Sequence, residues 1–251
     1  MNMSALSQNI FMKLGIVSSL ILSSSNAVAA NQIQVWTPNF GYEAGSWRVS
    51  QHIRTLADVN GDGKDDIVGF GNSGTFVSLS TGSGFTSPQK WVNDFGRNED
   101  AGSWNLDQHI RTLADVNGDG KDDIVGFGNS GTFVSLSTGS RFTSPQKWVN
   151  NFGRNEDAGS WNLDQHIRTL ADVNGDGKDD IVGFGNAGTF ISLSTGTEFV
   201  SPQMWINNFG RNEDAGSWNL DRHIRTLADV NGDGKDDIVG FGNAGVFVTT
   251  R

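Results

Sequence analysis

The chain has 251 residues, with 33 glycines, four prolines, no cysteine and a formal net charge of −10. So much glycine argues against a helical protein, and an aromatic content of 10% argues against a disordered one. The acidic balance argues against nucleic acid or an anionic membrane surface as partner, because both call for basic patches. Without cysteine, the chain must rely on burial, on closure of its sheets or on metal ions.

Residues 1–29 read as an export signal. Lys13 precedes a short apolar run (LGIVSSLIL, residues 14–22), followed by Ala27-Val28-Ala29 as a small-x-small cleavage site. The run is too short to span a bilayer, so membrane insertion is not expected. Cleavage near Ala29 or Ala30 would place the protein outside the cell or in the periplasm.

The rest, residues 30–251, is one unit written almost four times at a spacing of 57 residues. Its first piece, QVWTPNF at 34–40, stands alone. A glycine-containing loop with Trp47 follows, and then four β-like runs. Run A is IRTLADV at 53–59, run B is IVGF at 67–70, run C is TFVSLS at 75–80 and run D is KWVNDF at 90–95. The acidic loop DVNGDGKDD, residues 58–66, joins A to B, and Gly71-Asn72-Ser73-Gly74 turns B into C. No apolar stripe of helical period interrupts the pattern. A repeat of this length built from four short antiparallel strands predicts an all-β protein, a β-propeller with four-stranded blades.

The last copy ends in VFVTTR at 246–251, which is run C, while the isolated 34–40 matches run D. The two remainders are complementary. The expectation is four blades per chain, with the N-terminal strand completing the C-terminal blade and leaving no free edge. Pairing inside one chain gives a four-bladed ring. Exchange between two chains gives an eight-bladed homodimer. The sequence leaves both open.

ADVNGDGKDDIVGFG resembles the FG-GAP (VCBS) repeat, the blade unit of integrin α-chain propellers and of many exported bacterial proteins. With AGSWNLDQHIR before it and GTFVSLSTG after it, the unit is similar to the Psathyrella velutina lectin-like family, which includes the Photorhabdus lectins. The resemblance implies a propeller that binds sugars of the fucose or N-acetylglucosamine type between neighbouring blades.

In the acidic loop, Asp58, Asn60, Asp62 and Asp66 stand at positions 1, 3, 5 and 9, with Gly63 at position 6. The same positions hold Asp115, Asn117, Asp119 and Asp123, then Asp172, Asn174, Asp176 and Asp180, then Asp229, Asn231, Asp233 and Asp237. This is the oxygen-ligand spacing of a calcium loop, without the glutamate at position 12 of an EF-hand. Structural Ca²⁺ is one reading. A bare Asn-Gly and Asp-Gly turn is the other.

Of the eight tryptophans, Trp36, Trp91, Trp148 and Trp205 lie in run D and read as packing. Trp47, Trp104, Trp161 and Trp218 lie instead on the Gly-Ser-Trp loop that enters each blade. Such a ring could form the floor of a sugar pocket, and packing in the core is its alternative. Asn105, Asn162, Asn219, His109, His166, His223, Arg111, Arg168 and Arg225 could supply donors and acceptors. His52 and Arg54 are the first-copy counterparts, within a loop that departs from the others. The alternative for His and Arg is to brace the blade junction. No unrepeated constellation suggests an enzyme. A multivalent lectin is therefore expected, with a calcium-stabilised adhesion or scaffold propeller that binds protein as the alternative.

Overall fold

A computed structural model describes residues 33–251, and the expected export signal lies outside them. The repeats form one unit from Val35 to Arg251. The first sheet contains β1 (Ile53–Ala57), β2 (Asp66–Phe70), β3 (Thr75–Ser78) and β4 (Gln89–Val92), antiparallel and in sequence order. The second holds β5 (Ile110–Ala114), β6 (Asp123–Phe127), β7 (Thr132–Ser135) and β8 (Gln146–Val149). The third holds β9 (Ile167–Ala171), β10 (Asp180–Phe184), β11 (Thr189–Ser192) and β12 (Gln203–Ile206). The last has three strands only, β13 (Ile224–Ala228), β14 (Asp237–Gly242) and β15 (Gly245–Thr249). This is the expected all-β, propeller-like set of blades. Strand β2 begins at Asp66, so the strand starts within the acidic stretch.

Each strand is only four to six residues long, so a single sheet cannot hide its own faces. Burial comes from blade-to-blade packing. Val59, Phe70, Trp91 and Phe95 of the first blade share a core with Trp104, Ile124 and Phe142 of the second, and the next two junctions repeat it. Trp91 and Trp148 of run D pack here, 5.3 Å from Phe142 and 5.2 Å from Phe199, Trp205 is partly buried at the third junction, and Trp36 stays 43% exposed. The acidic loops are also linked from blade to blade. The Asp122 N–H donates to the Asp58 carbonyl at 2.8 Å, and Asp179 and Asp236 repeat the bond to Asp115 and Asp172.

Closure within one chain is corrected. Residues 33–40 form no strand, and β15 pairs with β14 alone. Trp36 instead lies against Phe85 at 5.8 Å, and the Phe85 N–H approaches the Trp36 carbonyl at 3.4 Å. That repeats the relation of Trp91 to Phe142. The segment is therefore held in front of the first blade, at the opposite end of the array from β15. Among the described residues no helix is long and apolar enough to cross a membrane.

Candidate functional site

The loop that carries each second-set tryptophan is built around a strained residue. Phe95, which ends run D, has φ 59°, a left-handed conformation costly for an aromatic residue, by about 1–3 kcal/mol. Its N–H donates to Asp94 Oδ1 at 2.7 Å, and its carbonyl accepts from Arg111 Nη1 at 2.9 Å. The same Asp94 oxygen accepts the Trp104 indole N–H at 3.3 Å. Phe40, Phe152 and Phe209 repeat the conformation, pinned by Arg54, Arg168 and Arg225.

The chain then turns through Gly102 and Ser103 and lays Trp104 flat on β6. A Cβ at Gly126 would stand 2.5 Å from the indole, so glycine there makes room for the tryptophan ring itself. Phe95 lies 5.0 Å away, and His109 and Phe133 meet the ring edge-on at 5.2 and 6.2 Å. The ring is 6% exposed, and Trp47, Trp161 and Trp218 match it at 7%, 6% and 5%. These tryptophans are largely core residues with one edge at the surface, which favours the packing alternative over an open platform.

Over that edge lies a cavity of about 370 Å³, lined by Trp104, His109, Asn129, Phe133 and Pro145, with Asp94 reaching it from the preceding blade. Trp161, His166, Asn186, Phe190 and Pro202 line an equivalent of about 350 Å³. Trp218, His223, Asn243 and Phe247 line a smaller one of about 260 Å³. His109 Nδ1 accepts the Asn105 N–H at 3.1 Å, so the neutral ring carries its proton on Nε2. Burial holds His109 and His166 below the ordinary histidine pKa, against the opposing pull of Asn129 and Asn186 beside them. In His109, His166 and His223 that Nε2 is buried, with Asn129 and Asn186 as its side-chain neighbours in the first two. In the first copy His52 Nε2 does reach Asn72 Oδ1, at 3.1 Å, so this donor is already engaged.

The structure thus divides the expected sugar set. Trp and His of the second, third and fourth copies meet at their cavities. Arg111, Arg168 and Arg225 are 3–4% exposed and lie over Phe70, Phe127 and Phe184 of the preceding blade, bracing the junction. Burial lowers each guanidinium pKa to about 10. Asn105 and Asn162 bond back to Ser103 and Ser160, and the Asn219 N–H donates to His223 Nδ1. All three lie outside the cavities. Asn129, Asn186 and Asn243, with Pro145 and Pro202, went unmarked in the sequence. Gly-Asn-Ser-Gly is explained there as a turn, and no other signal sets its asparagine apart.

In the acidic loop, Asp58 Oδ1 accepts the N–H groups of Gly61 and Asp62 at 2.7 and 3.2 Å, and Oδ2 that of Gly63 at 2.7 Å. Asp115, Asp172 and Asp229 repeat this. Asn60, Asn117, Asn174 and Asn231 each donate to the aspartate two residues on. Asp62, Asp119 and Asp176 pair with Lys64, Lys121 and Lys178 at 2.8–3.0 Å. In this arrangement no three acidic or histidine side chains among the described residues converge as a metal cluster.

Asp66, Asp123 and Asp180 are nevertheless fully buried. Each receives one serine N–H on Oδ1 at 2.7 Å and has no partner for Oδ2 among the described residues. Burial, and then the charges of the neighbouring loop aspartates, raise Asp123 to about 8 and Asp180 to about 7. Asp237, at the same position in the last copy, accepts from Arg251 and Val230 instead. A buried carboxylate oxygen would suit an oxygen-seeking cation only with the loop aspartates turned toward it. Binding would draw Asp62, Asp119 and Asp176 away from their lysines.

The chain matches the FG-GAP-like repeat family over residues 58–126 and 115–183. It superposes on the structure of an Agrocybe aegerita lectin, described as recognising non-reducing terminal N-acetylglucosamine, with a TM-score of 0.78 and 44% identity. The match covers 84% of this chain and 52% of the lectin, so the chain spans about half the length of that relative. The Photorhabdus luminescens Tc holotoxin pore shares the fold alone, with a TM-score of 0.55 and 21% identity over 78% of this chain and 9% of that one. No curated protein sequence matches the chain. With half the chain covered by the repeat and the blades in place, the protein belongs to the FG-GAP-like repeat family.

Proposed function

We propose that the chain is a multivalent carbohydrate-binding protein whose repeated Trp–His–Asn cavities take the end of a glycan, with N-acetylglucosamine preferred over fucose. One observation carries this reading. Three equivalent cavities each set a buried histidine Nε2–H beside a tryptophan edge and an asparagine side chain. A sugar hydroxyl or an acetamide carbonyl is a suitable acceptor. Asn129 or Asn186 can bond a second hydroxyl, while Phe133 with Pro145, or Phe190 with Pro202, offers an apolar wall to ring C–H groups or an acetyl methyl. The similarity to a lectin that recognises terminal N-acetylglucosamine supports the same chemistry.

Each cavity receives residues from two successive blades and is small, so single-site affinity is weak. Several sites on one rigid frame raise avidity for a glycan-coated surface. The role is binding without catalysis, because each polar group is repeated and none forms a nucleophile–base pair. Calcium is a structural ligand of the acidic loops in this reading, and export is what delivers the protein to surface glycans. A glycan array and calorimetry test it. N-acetylglucosamine-terminated glycans should bind, and combined Asn129→Ala, Asn186→Ala and Asn243→Ala should remove binding from a folded protein. A folded triple variant with full binding would move the site elsewhere.

A further inference from the structure

Each cavity is lined by one side chain from the end of the preceding blade, and that side chain differs between copies. Asp94 lines the Trp104 cavity, Asn151 the Trp161 cavity and Asn208 the Trp218 cavity. All three are held in one pose. Oδ1 accepts the N–H of the next residue, Phe95, Phe152 or Phe209, at 2.7 Å. The same oxygen accepts the indole N–H of Trp104, Trp161 or Trp218 at 3.3, 3.3 and 3.2 Å. Only the second terminal atom distinguishes them. It is a carboxylate oxygen in Asp94 and an NH₂ group in Asn151 and Asn208. Asp94 forms no salt bridge among the described residues. A second difference points the same way, because Ser130 lines the Trp104 cavity where Ala187 and Ala244 line the other two.

We infer that the Trp104 cavity selects an amino sugar with a free, protonated amine, that the Trp161 and Trp218 cavities select the acetylated form, and that Asp94 decides the difference. This rests on the carbohydrate reading of the cavities. The spare oxygen of Asp94 can only accept. An ammonium group brings three donors and a positive charge, and a charge-assisted hydrogen bond is roughly twice as strong as a neutral one. The Ser130 hydroxyl adds a further acceptor to the same cavity. An acetamide carbonyl suits the NH₂ of Asn151 or Asn208, whereas at Asp94 two acceptors would face each other. Selectivity therefore comes from attraction of one ligand and repulsion of the other.

The wider electrostatic setting does not separate the first two cavities. Arg111, Arg154 and Asp107 act on His109, and their repeat equivalents Arg168, Arg211 and Asp164 act on His166. That background cancels when the two cavities are compared, which leaves Asp94 as the charge that tells them apart. A chain carrying both kinds of cavity matches a glycan from which some of the acetyl groups have been removed. Such a surface engages every cavity at once, and a fully acetylated one leaves the Trp104 cavity weakly held.

The indole N–H of Trp104 is bonded to Asp94 itself, so its NMR signal reports on this cavity alone, as that of Trp161 does on the next. The full chain would be titrated in neutral buffer with the methyl glycosides of glucosamine and of N-acetylglucosamine. The ratio of affinities, glucosamine over N-acetylglucosamine, should be about tenfold higher at Trp104 than at Trp161. Asp94→Asn should bring the Trp104 ratio down to that of Trp161, and Asn151→Asp should raise the Trp161 ratio. Both substitutions install a residue that another copy already holds in the same pose, so the fold tolerates them. Equal ratios at the two cavities, or a Trp104 ratio unmoved by Asp94→Asn, would overturn the selectivity and leave the cavities as sugar sites. Indole signals that respond to neither sugar would overturn the carbohydrate reading itself, and this inference with it.

Discussion

Trp161→Ala tests whether these tryptophans are floor or core. The ring is 6% exposed, stacks at 5.1 Å on Phe152, and meets His166 and Phe190 edge-on at 5.2 and 6.3 Å. Removing a buried tryptophan costs about 3–5 kcal/mol, the higher figure where the surroundings cannot collapse. Here they cannot. The ring rests on Gly183, whose backbone is fixed in the β9–β10–β11 ladder and has no side chain to refill the space. The lost indole bond to Asn151 adds little, because that oxygen keeps the Phe152 N–H. We expect a loss near 4 kcal/mol, about one third of the stability of a protein holding roughly 12 kcal/mol. Urea unfolding followed by far-UV circular dichroism measures it, with Trp161→Phe as the milder control. An exposed ring would cost within about 0.5 kcal/mol. A midpoint shift that small would refute the core assignment and restore the open platform.

Gly183→Ala should destabilise by about 1–3 kcal/mol through overpacking, since its Cβ would meet the Trp161 ring at 2.5 Å; unchanged melting would mean the ring moves freely. Calcium at ten times its dissociation constant should add about 1.4 kcal/mol per occupied loop. An identical midpoint in chelator, with no metal in the purified protein, would leave the loops as turns. The raised pKa values of Asp123 and Asp180 favour the protonated form in the fold. Their stability contribution is therefore full below about pH 4 and is lost as pH rises toward about 8 in chelator, and calcium should remove that loss. A flat chelator profile across this window would contradict it. The lowered pKa values of His109 and His166 work in the other direction. Glycan binding should hold above about pH 6.5 and fall in more acid solution as Nδ1 gains a proton and loses its backbone partner, and unchanged titrations at lower pH would exclude the histidines from the site.

Local chemistry wrote most of the fold into the sequence. A 57-residue period, four β-like runs and glycine at each joint define a blade without reference to its neighbours, because turn and strand preferences act over a few residues. The run-D tryptophans of the complete blades were legible as packing for the same reason, since they alternate within a strand. For the second tryptophan set the sequence left platform and packing both open. Gly-Ser-Trp on a loop looks solvated in one dimension, yet Gly126 of β6, 22 residues further on, provides the bed that buries Trp104. Arg111 could be read as a ligand donor or as a brace, and it proves to be the brace, a clamp on the strained Phe95 carbonyl of the preceding blade. Asn129 looked like a turn residue until tertiary structure set it beside His109. The sequence also announced complementary ends, but pairing depends on the rotation from blade to blade. That rotation is set by side chains packed between sheets, a long-range property on which no single repeat reports.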